Sequence, residues 1–188
     1  MRIVVGISGA SGAIYGVRIL QHLKKSSAEV HLVISDAAKI TLKHECENII
    51  TLSQLEQYCY KCHSYDDIGA SIASGSFSTE GMIVAPCSMR TMSEIASGIA
   101  SSLLTRAADV TLKERRKLVL MLRETPLHLG HLRTMTTLAE IGAIIAPPVP
   151  SFYHNPQTIM DIVDHSVARV LNIFGLWDSS REWQGLDN

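Results

Sequence analysis

The stretch "RIVVGISGASGAIYG", residues 2–16, decides how this chain folds. A short apolar run passes directly into a turn of small residues and then into a helical pattern. An unbroken run rich in Val and Ile is the mark of a parallel strand covered on both faces. In open α/β proteins, ligands bind where such a strand turns into its helix. Gly6, Gly9 and Gly12 give the spacing G-x-x-G-x-x-G. The dinucleotide fingerprint is G-x-G-x-x-G, with an acid about 20 residues further on for the ribose. Here the first interval is too long. The next strand ends at Ser35 with Asp36 behind it, so the ribose acid is ambiguous. The turn still opens a helix, whose first amides and dipole attract anions. Ser8 and Ser11 add hydroxyls. It reads as a phosphate or flavin cradle, against the plainer alternative of a turn kept small for strand–helix packing.

The same pattern recurs along the chain. "EVHLVI" (29–34), "GMIVAP" (81–86), "KLVLML" (117–122) and "AIIAPP" (143–148) join "RIVVGI" (2–7) as buried strands. Helical periodicity fills 12–25, 36–46, 88–98, 101–116, 127–141 and 156–174. Alternating strands and helices predict a single α/β domain over 1–188, an open, doubly wound parallel sheet of the Rossmann or flavodoxin type. Residues 47–80 hold one short helix and then irregular chain. "PPVPSFYHNP" (147–156) carries four prolines and reads as a rigid extended loop. The polar tail, about 175–188, is free to contact a neighbouring subunit.

The totals exclude several function classes. Lys+Arg number 17 against 18 Asp+Glu, so no basic surface is available for nucleic acid. Aromatics are 5%, too few for base-stacking platforms. No apolar run approaches the ~20 residues of a membrane span. With no signal-peptide pattern, the expected place is the cytoplasm, with the four cysteines reduced. "CYKCH" (59–63) matches a haem-attachment pattern that belongs to exported proteins. A semi-exposed helix end is the simpler reading, and no metal site is expected.

In such a sheet the segments after the strands converge on one crevice. They are "SGASG", Ser35, "PCSMRT" (86–91), "RETP" (123–126) and "PPVPSFYH". Ser88 suits a helix cap or a ligand contact. Cys87 reads as a buried small residue. Arg106 and Lys113 are seven apart and share a helix face, as solvated charge or as phosphate ligands. Arg123 and Glu124 follow a buried strand, where a charged pair is costly unless a ligand or a salt bridge holds it. Tyr153 and Arg169 have no decisive context, nor does Glu45. His128 and His131 read as structural.

Taken together, "GISGASGAIYGVRIL", "HLVIS", "SGSF", "PCSMRT", "RAADVTLKERR", "LRETPLHLGHL", "PPVPSFYH" and "VARVLN" resemble the UbiX-type flavin prenyltransferase family. That family stands within the flavoproteins that include cysteine decarboxylases. The resemblance spans residues 3 to about 172 and departs at the cysteine-rich 46–63. It implies FMN and dimethylallyl phosphate as substrates. The isoalloxazine is prenylated at N5 and C6 without a metal. The prenylated FMN then goes to a UbiD-type decarboxylase, in ubiquinone synthesis or aromatic-acid breakdown. It also implies a homododecamer with sites between subunits.

By that resemblance, Gly9, Ala10, Ser11, Ser35, Ser88, Met89, Arg90, Thr91 and Arg123 contact FMN. Arg106, Lys113, Arg123, Glu124, Tyr153 and Arg169 surround the allylic phosphate. Ser11 and Glu45 serve protons at the flavin, Glu124 handles proton traffic, and Trp183 lies near the prenyl group. Two alternatives stay open at this point. One is a cysteine-decarboxylase-type enzyme with a histidine after the first helix, for which His44 stands nearby. The other is a non-catalytic flavin carrier.

Overall fold

The computed structural model describes residues 1–177. Its strands are β1 (Arg2–Ile7), β2 (Glu29–Ile34), β3 (Lys61–His63), β4 (Gly81–Cys87), β5 (Lys117–Leu122) and β6 (Ala143–Ile145). All pair in parallel in the order β3-β2-β1-β4-β5-β6, so the topology reverses between β1 and β4. Crevices at such reversals are the binding places of open α/β sheets. β6 stops before Pro147 and Pro148, which lack the N–H a ladder needs. β3 is the strand the apolar pattern misses. "CYKCH" ends in this short edge strand, not in a helix end.

Alternation along the strands sorts the helices onto two faces. Ile3, Val5 and Ile7 of β1 point to one face, where α1 (Ala13–Lys25), α2 (Asp36–Cys46), α3 (Leu52–Glu56) and α7 (Ile159–Ile173) pack. Val4, Met82 and Val84 point to the other. There lie a 3-10 turn (Ser71–Ala73), α4 (Met89–Ala96), α5 (Leu103–Lys113) and α6 (Leu129–Glu140). Gly6 lets α5 approach closely, because a Cβ there would stand 3.2 Å from Leu104. α7 returns across the first face and is fixed to α1 by the Arg18–Asp164 ion pair, 2.6 Å and half-buried. No helix among the described residues is long and apolar enough to cross a membrane.

The β2–β3 edge carries a buried polar chain. His31 Nδ1 lies 2.8 Å from His63 Nε2, and His31 Nε2 lies 3.0 Å from Glu29 Oε1. Arg2 grips the same carboxylate at 2.7 Å and stacks over Phe77. Burial, then the charges of His31 and Lys61, push His63 down to about 4. The fold therefore holds it neutral, against an ordinary value of 6.5. Its contribution to stability is complete above about pH 6.5 and is lost as pH falls through about 4. The melting temperature is expected to drop across that window, and His63→Phe to flatten the drop. An unchanged slope in the variant would remove His63 as its source.

Candidate active site

Three turns are tied together at the carboxyl edge of the central strands. Ser8 Oγ donates to the Pro86 carbonyl at 2.8 Å and accepts from the Ser88 amide at 2.7 Å. The Ser35 amide donates to the Ile7 carbonyl, and the Arg123 amide to the Cys87 carbonyl. Arg123 Nε donates to the Ser11 carbonyl at 3.2 Å. Gly9 lies against the start of α2, where a Cβ would sit 2.5 Å from that of Ala37. The crevice read from the sequence is thus built by the first four segments, with the proline loop forming a groove beside it.

The anion seat expected at α1 is already filled. Gly12, at φ 94, occupies the cap position with no side chain to offer. Glu45, from the last turn of α2, supplies the acceptor: its Oε2 takes the amides of Gly12 at 2.8 Å and Ala13 at 2.9 Å. Burial would raise this carboxyl. The Ser11 hydroxyl, the two amides and the Arg123 charge outweigh it and hold Glu45 below the usual carboxylate range. Sequence context gave Glu45 no signal because its partners lie over thirty residues away. What remains of the turn is a surface of small residues with the Ser11 hydroxyl at its tip.

The start of α4 is different. Ser88 caps it, accepting from the Thr91 amide at 3.2 Å and donating to Thr91 Oγ1 at 3.1 Å. No acceptor among the described residues takes the amides of Met89 and Arg90, so an anion can. The Arg90 guanidinium turns away to Glu94, at 2.8 Å, so Arg90 offers the crevice its backbone and not its charge. Ser35, buried, caps α2 through the Ala38 amide. A flavin mononucleotide fits these features: open amides and hydroxyls for a phosphate, and a small-residue turn for a flat ring.

Arg123 and Glu124 stand past the end of β5. The buried charge pair expected from the sequence is not there: Arg123 is half-buried and Glu124 exposed. Glu124 Oε1 accepts from the Thr125 amide, which orients the carboxylate. Tyr153 and Arg169 line a separate groove of about 610 Å³, with Met121, Ala146, Pro147 and Ser151.

Arg106 and Lys113 do share a helix face, beside the 71–77 segment. Arg106 donates to the Ala73 carbonyl and pairs with Asp109 at 2.7 Å. Lys113 pairs with Glu114 next to Gly75. Lys113 lies near the start of β5, the opposite edge of the sheet from Arg123. Within one copy, the six expected phosphate ligands therefore do not assemble, because α5 runs antiparallel to the strand that carries Arg123. Trp183 lies outside the described residues.

Other readings resolve simply. Cys87 is fully buried, and burial pushes its thiol far up, which leaves it inert. His128 caps α6 by accepting from the His131 amide, a structural role. His44 is exposed on the last turn of α2. No group of three or more His, Cys, Asp or Glu among the described residues is arranged to hold a metal.

Fold and crevice define a nucleotide-type flavin binder, and residues 1–171 match the family model described as Flavoprotein. Within that class the chain is 54% identical over 189 residues to the flavin prenyltransferase UbiX of Thauera aromatica, covering 97% of this chain and 96% of the relative. The chain belongs to the UbiX flavin prenyltransferase family. Its backbone follows the dodecameric FMN-dependent UbiX-like decarboxylase of Escherichia coli O157:H7 with a TM-score of 0.94 at 47% identity, over 99% of this chain and all of that one. It follows AnUbiX (PadA1), solved with FMN and dimethylallyl pyrophosphate, with a TM-score of 0.93 at 43% identity, over 99% and 98% of the two chains.

Proposed function

We propose that this chain transfers the dimethylallyl group of dimethylallyl phosphate to N5 and C6 of reduced FMN, forming prenylated FMN. The observation that carries the reading is the junction at Arg123. One side chain ties the flavin turn, through the Ser11 carbonyl, to the loop that bears Glu124.

Reduced FMN, when bound, supplies the two nucleophilic atoms that take the allyl group. Gly9, Ala10 and Ser11 give its ring a close backbone surface. Ser35, Ser88, Met89, Arg90 and Thr91 hold its phosphate. The chain's further task is to let phosphate leave. Arg123, Arg169 and Tyr153 place donors on the departing oxygens, and Arg106 and Lys113 join them from a neighbouring copy. Each charge-assisted hydrogen bond contributes about 1.5–3 kcal/mol, so several together lower the ionisation barrier by many powers of ten. Glu124 takes up the proton released when the second bond forms, on the oxygen not engaged with Thr125. Glu45 stays ionised and orients the Ser11 hydroxyl.

The opposite placement of Lys113 and Arg123 supports a site shared between copies, and the dodecameric relative supports a homododecamer here. The protein acts in the cytoplasm, and its product goes to a UbiD-type decarboxylase. Incubation with reduced FMN and dimethylallyl phosphate, followed by mass spectrometry, is expected to show the flavin heavier by one prenyl group. Unmodified flavin would overturn the proposal, and carbon dioxide from a cysteine-terminated peptide would install the decarboxylase reading in its place.

A further inference from the structure

The proline loop and α7 hold a cluster of which the roles above use only Tyr153. Tyr153 Oη lies 3.5 Å from His165 Nε2, with the two rings edge to face at 87°. The His154 ring touches both, 4.1 Å from Tyr153 and 4.3 Å from His165 between centroids. His165 stands one helical turn before Arg169, and both line the same groove as Tyr153.

From this arrangement we infer that His165 is a positioning residue for Tyr153, fixing which way the phenol hydrogen points toward the allylic phosphate. The inference rests on the prenyl-transfer reading for the identity of that phosphate.

The reasoning is one of hydrogen-bond direction. A tyrosine hydroxyl has one hydrogen to give. If His165 accepts that hydrogen, the phenol faces the phosphate with lone pairs only, and two oxygens repel. If His165 donates its Nε2–H to Oη, the phenol hydrogen is released toward the phosphate, beside the Arg169 guanidinium. Binding of a phosphate therefore selects the tautomer with the hydrogen on Nε2. The contact of 3.5 Å is long for such a bond and is expected to shorten when the anion arrives. His154, packed on both rings, restrains their rotation, so the choice is made by the proton and not by a swing of the side chain. Neither bond making nor proton loss is required of His165.

The test compares His165→Leu, His165→Gln, Tyr153→Phe and the Tyr153→Phe/His165→Leu double variant, each as the full assembled protein with its melting temperature recorded. His165→Leu is expected to raise the KM for dimethylallyl phosphate about tenfold or more, as one lost hydrogen bond to a charged group does. KM for FMN should stay within about twofold. Tyr153→Phe should match it, and the double variant should be no worse than either alone. His165→Gln keeps an N–H donor at nearly the same place and should recover most of the loss. Additive losses, or an unchanged KM in His165→Leu, would overturn the inference.

A second arm needs no turnover. Calorimetric titration with inorganic phosphate should show the same weakening, with the same non-additivity. Equal phosphate affinity in wild type and His165→Leu would also overturn the inference. A wild type that binds phosphate but makes no prenylated flavin would count against the reaction assigned above, while this arm would still decide the role of His165.

Discussion

Glu124→Gln is expected to cut turnover by about 10²–10⁴-fold, the range that separates a positioned proton acceptor from none. Flavin affinity should stay within about twofold, because Glu124 is exposed and its fixed contact among the described residues is the Thr125 amide, which Gln can still satisfy. The two readouts separate chemistry from binding. Single-turnover mass spectrometry follows the prenylated product, and quenching of flavin fluorescence follows affinity. An amide accepts a hydrogen bond but takes no proton at neutral pH, so the substitution preserves the shape of the loop. A variant that turned over at the wild-type rate would strip Glu124 of its role and leave the released phosphate to carry the proton.

Lys113→Ala and Arg123→Ala are each expected to lose about 10–100-fold in turnover, one charge-assisted contact apiece. The more telling result concerns mixtures. Lys113 lies at the edge where β5 begins and Arg123 past the edge where it ends, so under the proposed function a phosphate held by both must lie between two copies of the chain. Co-expressing the two variants with separate tags, and purifying assemblies that carry both, should restore about a quarter of the sites, since each site draws its two cations from different copies. Activity no higher than that of either parent would mean that Lys113 acts elsewhere or only on its own chain's stability.

Much of this arrangement was legible in the sequence, and the gaps have physical causes. The four central strands, β1, β2, β4 and β5, announce themselves because both faces are covered, which forces unbroken apolar runs; β6, three residues at an edge, is legible only by its Ala-Ile-Ile run. β3, equally short and at the other edge, escapes detection because its residues, Lys61–His63, form no apolar run. There the buried side chain is a histidine held through its Nε2 by another histidine. The turn after β1 and the cap at Ser88 follow from local chemistry and sit where expected. Glu45 could not be placed from its own neighbours, because its function is to cap a different helix. Following a buried strand does not itself bury the Arg123–Glu124 pair. Two residues beyond a strand end are enough to reach solvent. For Arg106 and Lys113, helical spacing correctly gave a shared face but carries no information about which copy of the chain that face serves.

Glu45 on the first amides of α1 has a directional consequence. Two strand-to-helix turns border the crevice, and from their small residues alone they look interchangeable. The carboxylate makes one of them electrically closed, while the start of α4 keeps amides to offer. A ligand with an anionic end and an uncharged end then meets a crevice with a head and a foot. Under the proposed function, its phosphate is expected to be turned back at α1 and accepted at α4, which would present the ring to Ser11 in one sense only. On that reading Glu45 would act as a compass needle for a cofactor that it need never touch.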